Sequence, residues 1–242
     1  MEEKYHVLSL PSKLKVYDKT KVKEVSVRYL KGKDEKLIGE LTLSNFDKKY
    51  VLLLEQILKG IDPRELTLGD RTYIAIWLSM NCYSSIYPIT VTCENCFKRT
   101  EIEIELKKLE KIDLDEKFVE PHPVTLMDGS IIYMRLLRVK DNIAYIDYVT
   151  NKGQEDQNYK LALTLCDDRS IIEKVQFLEN LSVKDLNILK AFHSDNMHGV
   201  NLEHYEFICP KCKEAGDTPV PFRFELLFPD ASTIAKFARN SI

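Results

Sequence analysis

The sequence predicts an α+β fold in which helices pack on short antiparallel hairpins and a split four-cysteine zinc ribbon is built from two distant knuckles. Three observations predict it. Two Cys-x-x-Cys pairs, Cys93/Cys96 and Cys209/Cys212, each stand at the tip of a stretch with strand-like alternation. Asp128-Gly129 lies between two further alternating stretches, a strong short-range hairpin signal. Apolar residues recur at helical spacing ahead of the first pair and again between the pairs. With 242 residues, 44% of them apolar, the chain can bury a real core as one large domain or two small ones.

The elements are taken in chain order. His6-Val7-Leu8-Ser9-Leu10-Pro11 reads as an extended arm, either an edge strand or a tether, and Val25, Val27 and Tyr29 alternate as a half-buried strand. Ser44-Asn45-Phe46-Asp47 resembles a capping box opening a helix with Tyr50, Leu53, Leu54, Ile57 and Leu58 on its apolar face, and Gly60 is placed as its left-handed cap. A second helix starts at Thr67-Leu68-Gly69-Asp70, with Tyr73, Ile74, Trp77 and Leu78 in one stripe and Trp77 assigned to the core.

The first knuckle enters along Ile86–Thr92 and leaves along Thr100–Leu106. Ile102, Ile104 and Leu106 face one side there and Glu101, Glu103 and Glu105 the other, which reads as a solvated face rather than acid–base machinery. Around Asp128-Gly129 a type I′ turn is expected, with Gly129 at positive φ. From Val139 to about Phe192 the pattern is helical, with a capping box at Ser182-Val183-Lys184-Asp185 and a staple between Leu181 and Leu186. The second knuckle enters along Tyr205–Ile208 and is expected to leave along Val220–Leu226. A short helix at Ser232–Arg239 would be marginal alone and would dock on this chain's core or on a neighbouring subunit. The expected organisation is an N-terminal arm, strand and helical segment (1–80), a split ribbon (81–106 with 204–228), an inserted hairpin and helices (107–203) and a tail (229–242).

The cysteines carry the chemistry. Four thiolates from two knuckles complete the tetrahedral set of a structural Zn²⁺, so Cys93, Cys96, Cys209 and Cys212 are the candidate metal ligands. Residues 97–208 lie between the pairs. Closing a flexible loop of that length costs about 4 kcal/mol, whereas structural zinc supplies roughly 10–16 kcal/mol. Lys98, Arg99, Lys211 and Lys213 would offset the negative charge of a tetrathiolate. Redox thiols and disulfides are the competing readings. The first wants a strand-to-helix junction, and here strands come after both motifs; the second suits small secreted chains, and no secretory signal is visible. Cys82 and Cys166 read as small buried hydrophobes, Cys166 within an apolar helical stretch.

Composition narrows function. A net charge of −3 and a pI near 6.0 disfavour a basic nucleic-acid binder, although the four basic residues at the knuckles keep a zinc-ribbon nucleic-acid-binding protein as the alternative. The longest apolar runs, such as Val51-Leu52-Leu53-Leu54, cannot span a bilayer, and no Gly-rich phosphate loop occurs. His6, His122, His193, His198 and His204 show no zincin spacing, and His193 and His198 read as surface or capping residues. No catalytic constellation is expected.

The order of motifs resembles the baseplate hub proteins of contractile-tailed bacteriophages of the T-even type. The resemblance rests on Leu10-Pro11-Ser12, Leu66-Thr67-Leu68-Gly69-Asp70-Arg71, and Tyr87 leading to Cys93/Cys96. It continues with Pro123–Ser130, Arg135-Leu136-Leu137, Cys209-Pro210-Lys211-Cys212 and Phe228-Pro229. At the first knuckle, Glu94 and Lys98 replace the Pro and Gly usual in that pattern. The resemblance implies a non-enzymatic virion or assembly component of the tail hub, built in the host cytoplasm. Its partners would be other baseplate and tail hub proteins in a multi-copy assembly.

Overall fold

The computed structural model describes residues 3–42 and 44–229. The chain opens with β1 (Tyr5–Val7), then β2 (Ser26–Arg28), and these pair with β3 (Leu58–Lys59) in an antiparallel sheet of order β1-β2-β3. β1 is an edge strand, but the segment after it is no arm. Leu8, Leu10 and Ser12 are buried, and the Leu8 amide donates to Val25 O at 2.9 Å. Val25 and Val27 are fully enclosed, whereas Tyr29 lies outside the strand, exposed, with its ring stacked on half-buried Trp77 at 5.8 Å. α1 (Glu35–Gly39) is held to β2 by a buried two-pronged pair between Arg28 and Asp34 at 2.7 and 3.0 Å.

α2 (Phe46–Ile57) starts later than expected and without the capping box. Asn45 is its N-cap, and its side chain turns back to accept the Thr42 amide at 2.8 Å. Asp47 instead takes Arg71 and Asn142 at 2.5 Å each, tying α2 to two later helices. Leu58 leaves the helix to pair with Val27, so Gly60 is not a helix cap. It has φ +96° because a Cβ there would stand 1.9 Å from Glu24 O.

α3 (Leu68–Cys82) begins as the sequence predicts, with Thr67 Oγ1 accepting the Asp70 amide at 3.1 Å and Ile74 and Leu78 fully buried. Asp70 does more than favour a helix terminus. Its buried carboxylate accepts the Ser12 amide at 2.9 Å and the Tyr17 hydroxyl at 2.5 Å, and that hydroxyl in turn accepts the Thr67 amide at 3.0 Å. Burial, and then the Asp70 charge, push the Tyr17 hydroxyl well above the usual phenol range, so it stays a donor.

β4 (Ile86–Thr92) and β5 (Arg99–Glu105) form the first knuckle hairpin, with Ile102, Ile104 and Leu106 buried and Glu101 and Glu103 exposed. Pro88 opposes Glu103 at a position whose missing N–H would point to the strand's outer edge, where proline costs no ladder bond. β6 (Lys111–Ile112) leads to β7 (His122–Thr125) and β8 (Ile131–Met134). The expected type I′ turn between them is absent. Gly129 N–H donates to Leu126 O at 3.0 Å and Leu126 N–H to Ser130 O at 2.9 Å, and only Gly129 in the loop has positive φ (+85°). This is a three-residue loop with a left-handed glycine, one residue longer than a type I′ connection.

α4 (Val139–Lys152) ends at left-handed Gly153, and α5 (Gln157–Ala162), α6 (Ile171–Asn180) and α7 (Val183–Asp195) come next. Ser182 caps α7 by accepting the Asp185 amide at 3.1 Å, while Asp185 reaches across to the Met127 amide at 2.8 Å. α6 carries a full capping box between Ser170 and Glu173 that the sequence reasoning missed. Cys166 lies outside any helix: its amide donates to Tyr133 O at 2.8 Å, and Cys166 and Cys82 are half-buried rather than core. Burial raises both thiols, which suits inert packing residues.

β9 (Gly199–Val200) pairs with β6 in the register Ile112↔Gly199, and β10 (Tyr205–Ile208) pairs with β11 (Ala215–Thr218). The return strand of the second knuckle is therefore Ala215–Thr218, not Val220–Leu226. The tight knuckle sets the register by its Cys209 N–H to Glu214 O bond of 2.9 Å, and the Phe207 ring lies over Gly216. Val220, Phe224, Leu227 and Phe228 cover the core instead, the last three in or beside the short helix α8 (Phe224–Leu227). The helix expected at Ser232–Arg239 lies outside the described residues.

Two apolar clusters result. One joins residues 8–106 with Val139 and the 220–228 return; the other joins Leu114, Phe118, Leu126, Met134 and Leu136 to α5, α6 and α7. At the foot of the first, β9 crosses the start of α3 at backbone contact. A Cβ on Gly69 would stand 2.3 Å from His198 O, and one on Gly199 would stand 2.9 Å from the Gly69 Cα. His198 is half-buried: its Nδ1 meets Asn196 O, the C-cap of α7, at 3.2 Å, and its Nε2 meets Thr67 Oγ1 at 2.7 Å. His193 is enclosed beside α5, and burial drives its imidazole down to about 4.

Gly69→Ala should destabilise the protein by about 1–3 kcal/mol in chemical denaturation, although alanine is the better helix former by about 1 kcal/mol; a stabilised variant would reject the crossing. For His193 the folded state resists the proton that the unfolded chain takes near 6.5, so its contribution to stability is present above 6.5 and is lost as pH falls towards 4. His193→Leu should therefore show a shallower loss than the parent between pH 6.5 and 4, by at most about 3 kcal/mol, in paired denaturation curves.

Candidate metal centre

Each knuckle is built by the same local backbone. The Cys93 amide donates to Lys98 O at 3.1 Å and the Phe97 amide to Cys93 O at 2.8 Å; at the second, Cys209 N donates to Glu214 O and Lys213 N to Cys209 O, both at 2.9 Å. Closing so tight a turn requires a left-handed residue directly after the second cysteine. Phe97 (φ +55°) and Lys213 (φ +67°) fill those positions, where glycine would sit without strain.

The two turns face each other with their cysteines crossed. Cys93 Sγ lies 3.7 Å from Cys212 Sγ, and Cys96 Sγ lies 3.9 Å from Cys209 Sγ. All four sulfurs fall within 4.8 Å of one another, with Cys93 and Cys209 buried and Cys96 and Cys212 half-buried. All six cysteines of the chain are free thiols, so the disulfide reading is not realised. The four residues singled out from the sequence are the ones that the fold brings together, while Cys82 and Cys166 stay apart from them.

The electrostatics are those of a cluster that cannot ionise fully by itself. The amide of Cys212 and then that of Lys211, with help from neighbouring thiols, bring the Cys209 thiol down to about 6 against the opposing effect of burial. Cys212 moves the other way, up to about 12. The Glu214 amide pulls it down, but burial and the sulfurs of Cys209, Cys93 and Cys96 outweigh that pull. One thiolate is stabilised and a later one opposed, the behaviour of coupled acids sharing a site. A divalent cation at the centre would remove that opposition, since it draws four thiolates at once.

Other contacts hold the halves together, and the sequence offered no signal for them because each joins distant positions. Asn95 Nδ2 donates to Ala215 O at 3.2 Å, directly from one knuckle to the other hairpin. Tyr87 on β4 accepts the Arg223 amide at 3.0 Å and donates to Pro221 O, and burial raises its hydroxyl to about 12. Tyr205 on β10 accepts the Glu105 amide at 3.2 Å. Of the four basic residues named at the knuckles, none forms an ion pair among the described residues, and exposed Glu94, Glu101, Glu206 and Glu214 lie near them in the chain.

These features define an α+β protein whose distant hairpins meet at a four-thiol cluster, without a helix among the described residues long and apolar enough to cross a membrane. The family model described as T4 bacteriophage base plate protein matches residues 4–228, and the chain belongs to that family. It is thus a bacteriophage baseplate protein, from a family of structural tail components that assemble with other phage proteins. No curated protein and no solved structure matches it significantly.

Relief of the left-handed strain gives a direct check on the knuckle geometry. Lys213→Gly should stabilise the protein by about 1 kcal/mol in thermal or chemical denaturation, whereas Lys211→Gly, two positions earlier and outside the left-handed region, should not.

Proposed function

We propose that this chain is a non-enzymatic structural or assembly component of the phage tail hub, acting through protein–protein contacts and fastened by one structural Zn²⁺. The observation that carries the metal is the sulfur geometry. A tetrahedral zinc thiolate with bonds of about 2.3 Å has sulfur–sulfur edges of about 3.8 Å, and the crossed pairs stand at 3.7 and 3.9 Å. Cys93, Cys96, Cys209 and Cys212 fit that ion, and a full set of four protein ligands leaves no open position for a bound water, as a structural rather than catalytic site requires.

In this reading the ribbon (81–106 with 204–228) clasps the inserted hairpin and helices (107–203) and holds them at a set angle to the N-terminal segment (1–80). The family supports the tail-component role, and together with the net charge of −3 it does not favour the nucleic-acid reading. The hub as the place within the baseplate rests on the order of motifs described for the sequence. Assembly would occur in the host cytoplasm before the particle is released.

Native mass spectrometry with and without chelator should report one zinc per chain. Two ions, or none in a folded protein with reactive thiols, would overturn the split site. Cys212→Ser should lose the metal and loosen both hairpins by proteolysis, with no reaction abolished; retention of metal and of protease resistance would contradict it. For the role in the tail, the protein should appear by immunoblot in finished particles or in assembly intermediates, and absence from both would sink the proposal.

A further inference from the structure

Among the described residues the outer edge of β5 is unpaired. The hairpin register fixes which backbone groups face inward: Cys93 N–H bonds Lys98 O at one end and Leu106 N–H bonds Ser85 O at the other. Tyr87↔Ile104, Ile89↔Ile102 and Val91↔Thr100 lie on the same alternation and exchange the ladder bonds. The N–H and C=O groups of Arg99, Glu101, Glu103 and Glu105 therefore point away from β4. Tyr205 takes the Glu105 amide at 3.2 Å, and among the described residues nothing takes the amides of Glu101 and Glu103. A seven-residue strand with an open edge is long for a protein to leave uncovered.

The side chains on that edge carry a sign. Glu105 is neutralised by Lys107 and Lys108 at 3.3 and 2.6 Å, whereas Glu101 and Glu103 are exposed and have no ion pair among the described residues. Ile102 and Ile104, which alternate with them, are buried in the core. A strand added here would place alternate side chains directly across from Glu101 and Glu103 on the solvent face. A second copy of β5 paired about Glu101–Glu103 would set glutamate against glutamate.

We propose that the edge at Glu101 and Glu103 is a docking site for an extended segment of another protein that bears lysine or arginine at the two positions across from them, added as an antiparallel strand to β5. Main-chain hydrogen bonds would supply affinity and the two carboxylates would select the partner's charge. The site lies outside the four-thiol cluster and does not depend on which metal that cluster holds.

The test uses the full-length, metal-loaded protein and a labelled synthetic peptide of alternating lysine and valine, with a glutamate–valine peptide as its counterpart. Saturable binding of the lysine peptide, weakened by salt and accompanied by slowed hydrogen exchange at the Glu101 and Glu103 amides, is the expected result. Glu101→Pro, which removes an outward N–H but no ladder bond, should weaken binding at least tenfold. Should that variant fail to fold, the Glu101→Lys/Glu103→Lys double variant should reverse the preference towards the glutamate peptide. Equal binding of both peptides, protection confined to other residues, or binding unchanged in these variants would overturn the proposal. So would concentration-dependent self-association lost in Glu101→Pro, which would make the occupant a second copy. Protection of both amides in the free protein that disappears on deletion of residues 230–242 would make the occupant this chain's own tail.

Discussion

The contact on which the rest of this structure depends is a crossing of two backbones. Gly199 on β9 meets Gly69 at the start of α3 with no room for a side chain on either, and the neighbouring residues pair β9 with β6. That crossing brings residue 112 beside residue 199. The long excursion between them is thereby closed by protein contacts before any metal is considered, and only the short runs from β6 back to Cys96 and from β9 forward to Cys209 remain. The loop-closure cost that a flexible chain would impose on the cysteines is carried by the glycine crossing and the β6–β9 pair. A metal at the four sulfurs then acts on hairpins that already face each other.

Around that crossing, buried polar groups do the specifying. Asp70 collects an amide from the N-terminal segment and a hydroxyl from Tyr17, while Thr67 collects the Asp70 amide and His198. Apart from the local Thr67–Asp70 cap, these partners lie far away in sequence, so the arrangement tolerates one packing and penalises slippage, since a buried donor or acceptor left alone costs about 1–3 kcal/mol. Asp47 plays a similar part between α2, Arg71 and Asn142. For a subunit whose role is to present fixed surfaces to neighbours in a baseplate, such rigidity is a functional property. The knuckles extend it by locking Asn95, Tyr87 and Tyr205 across the two halves.

Much of this was legible in the chain, and the misses have identifiable causes. The first knuckle, the α3 start and the cysteine set were visible because each depends on residues close in sequence: alternation, a capping threonine, a two-residue spacing. The Ser44 capping box failed because Asp47 finds a better partner in Arg71, a tertiary ion pair that outweighs a local hydrogen bond. The second return strand falls elsewhere than expected because Val220–Leu226 looks more strand-like than Ala215–Thr218. The hydrophobic residues were needed over the core, and a strand of Ala-Gly-Asp-Thr could be tolerated once the knuckle turn had set its register and Phe207 covered its glycine. His193 reads as a surface or capping residue in the sequence because a lone histidine near a helix end carries no mark of the neighbours that will half-bury it.

The sequence by itself determined the α+β class, the identity of the four converging cysteines and the resemblance to phage baseplate proteins that family membership bears out, since all three reside in local periodicity and in the order of motifs along the chain. Only the tertiary structure decided that Cys93 stands beside Cys212 and Cys96 beside Cys209, that Phe97 and Lys213 carry left-handed strain, and that among the described residues the outer edge of β5 is unpaired. Those features depend on which strand ends lie beside which others. Distances between residues a hundred positions apart are set by packing of the whole core, and no short stretch of sequence encodes them.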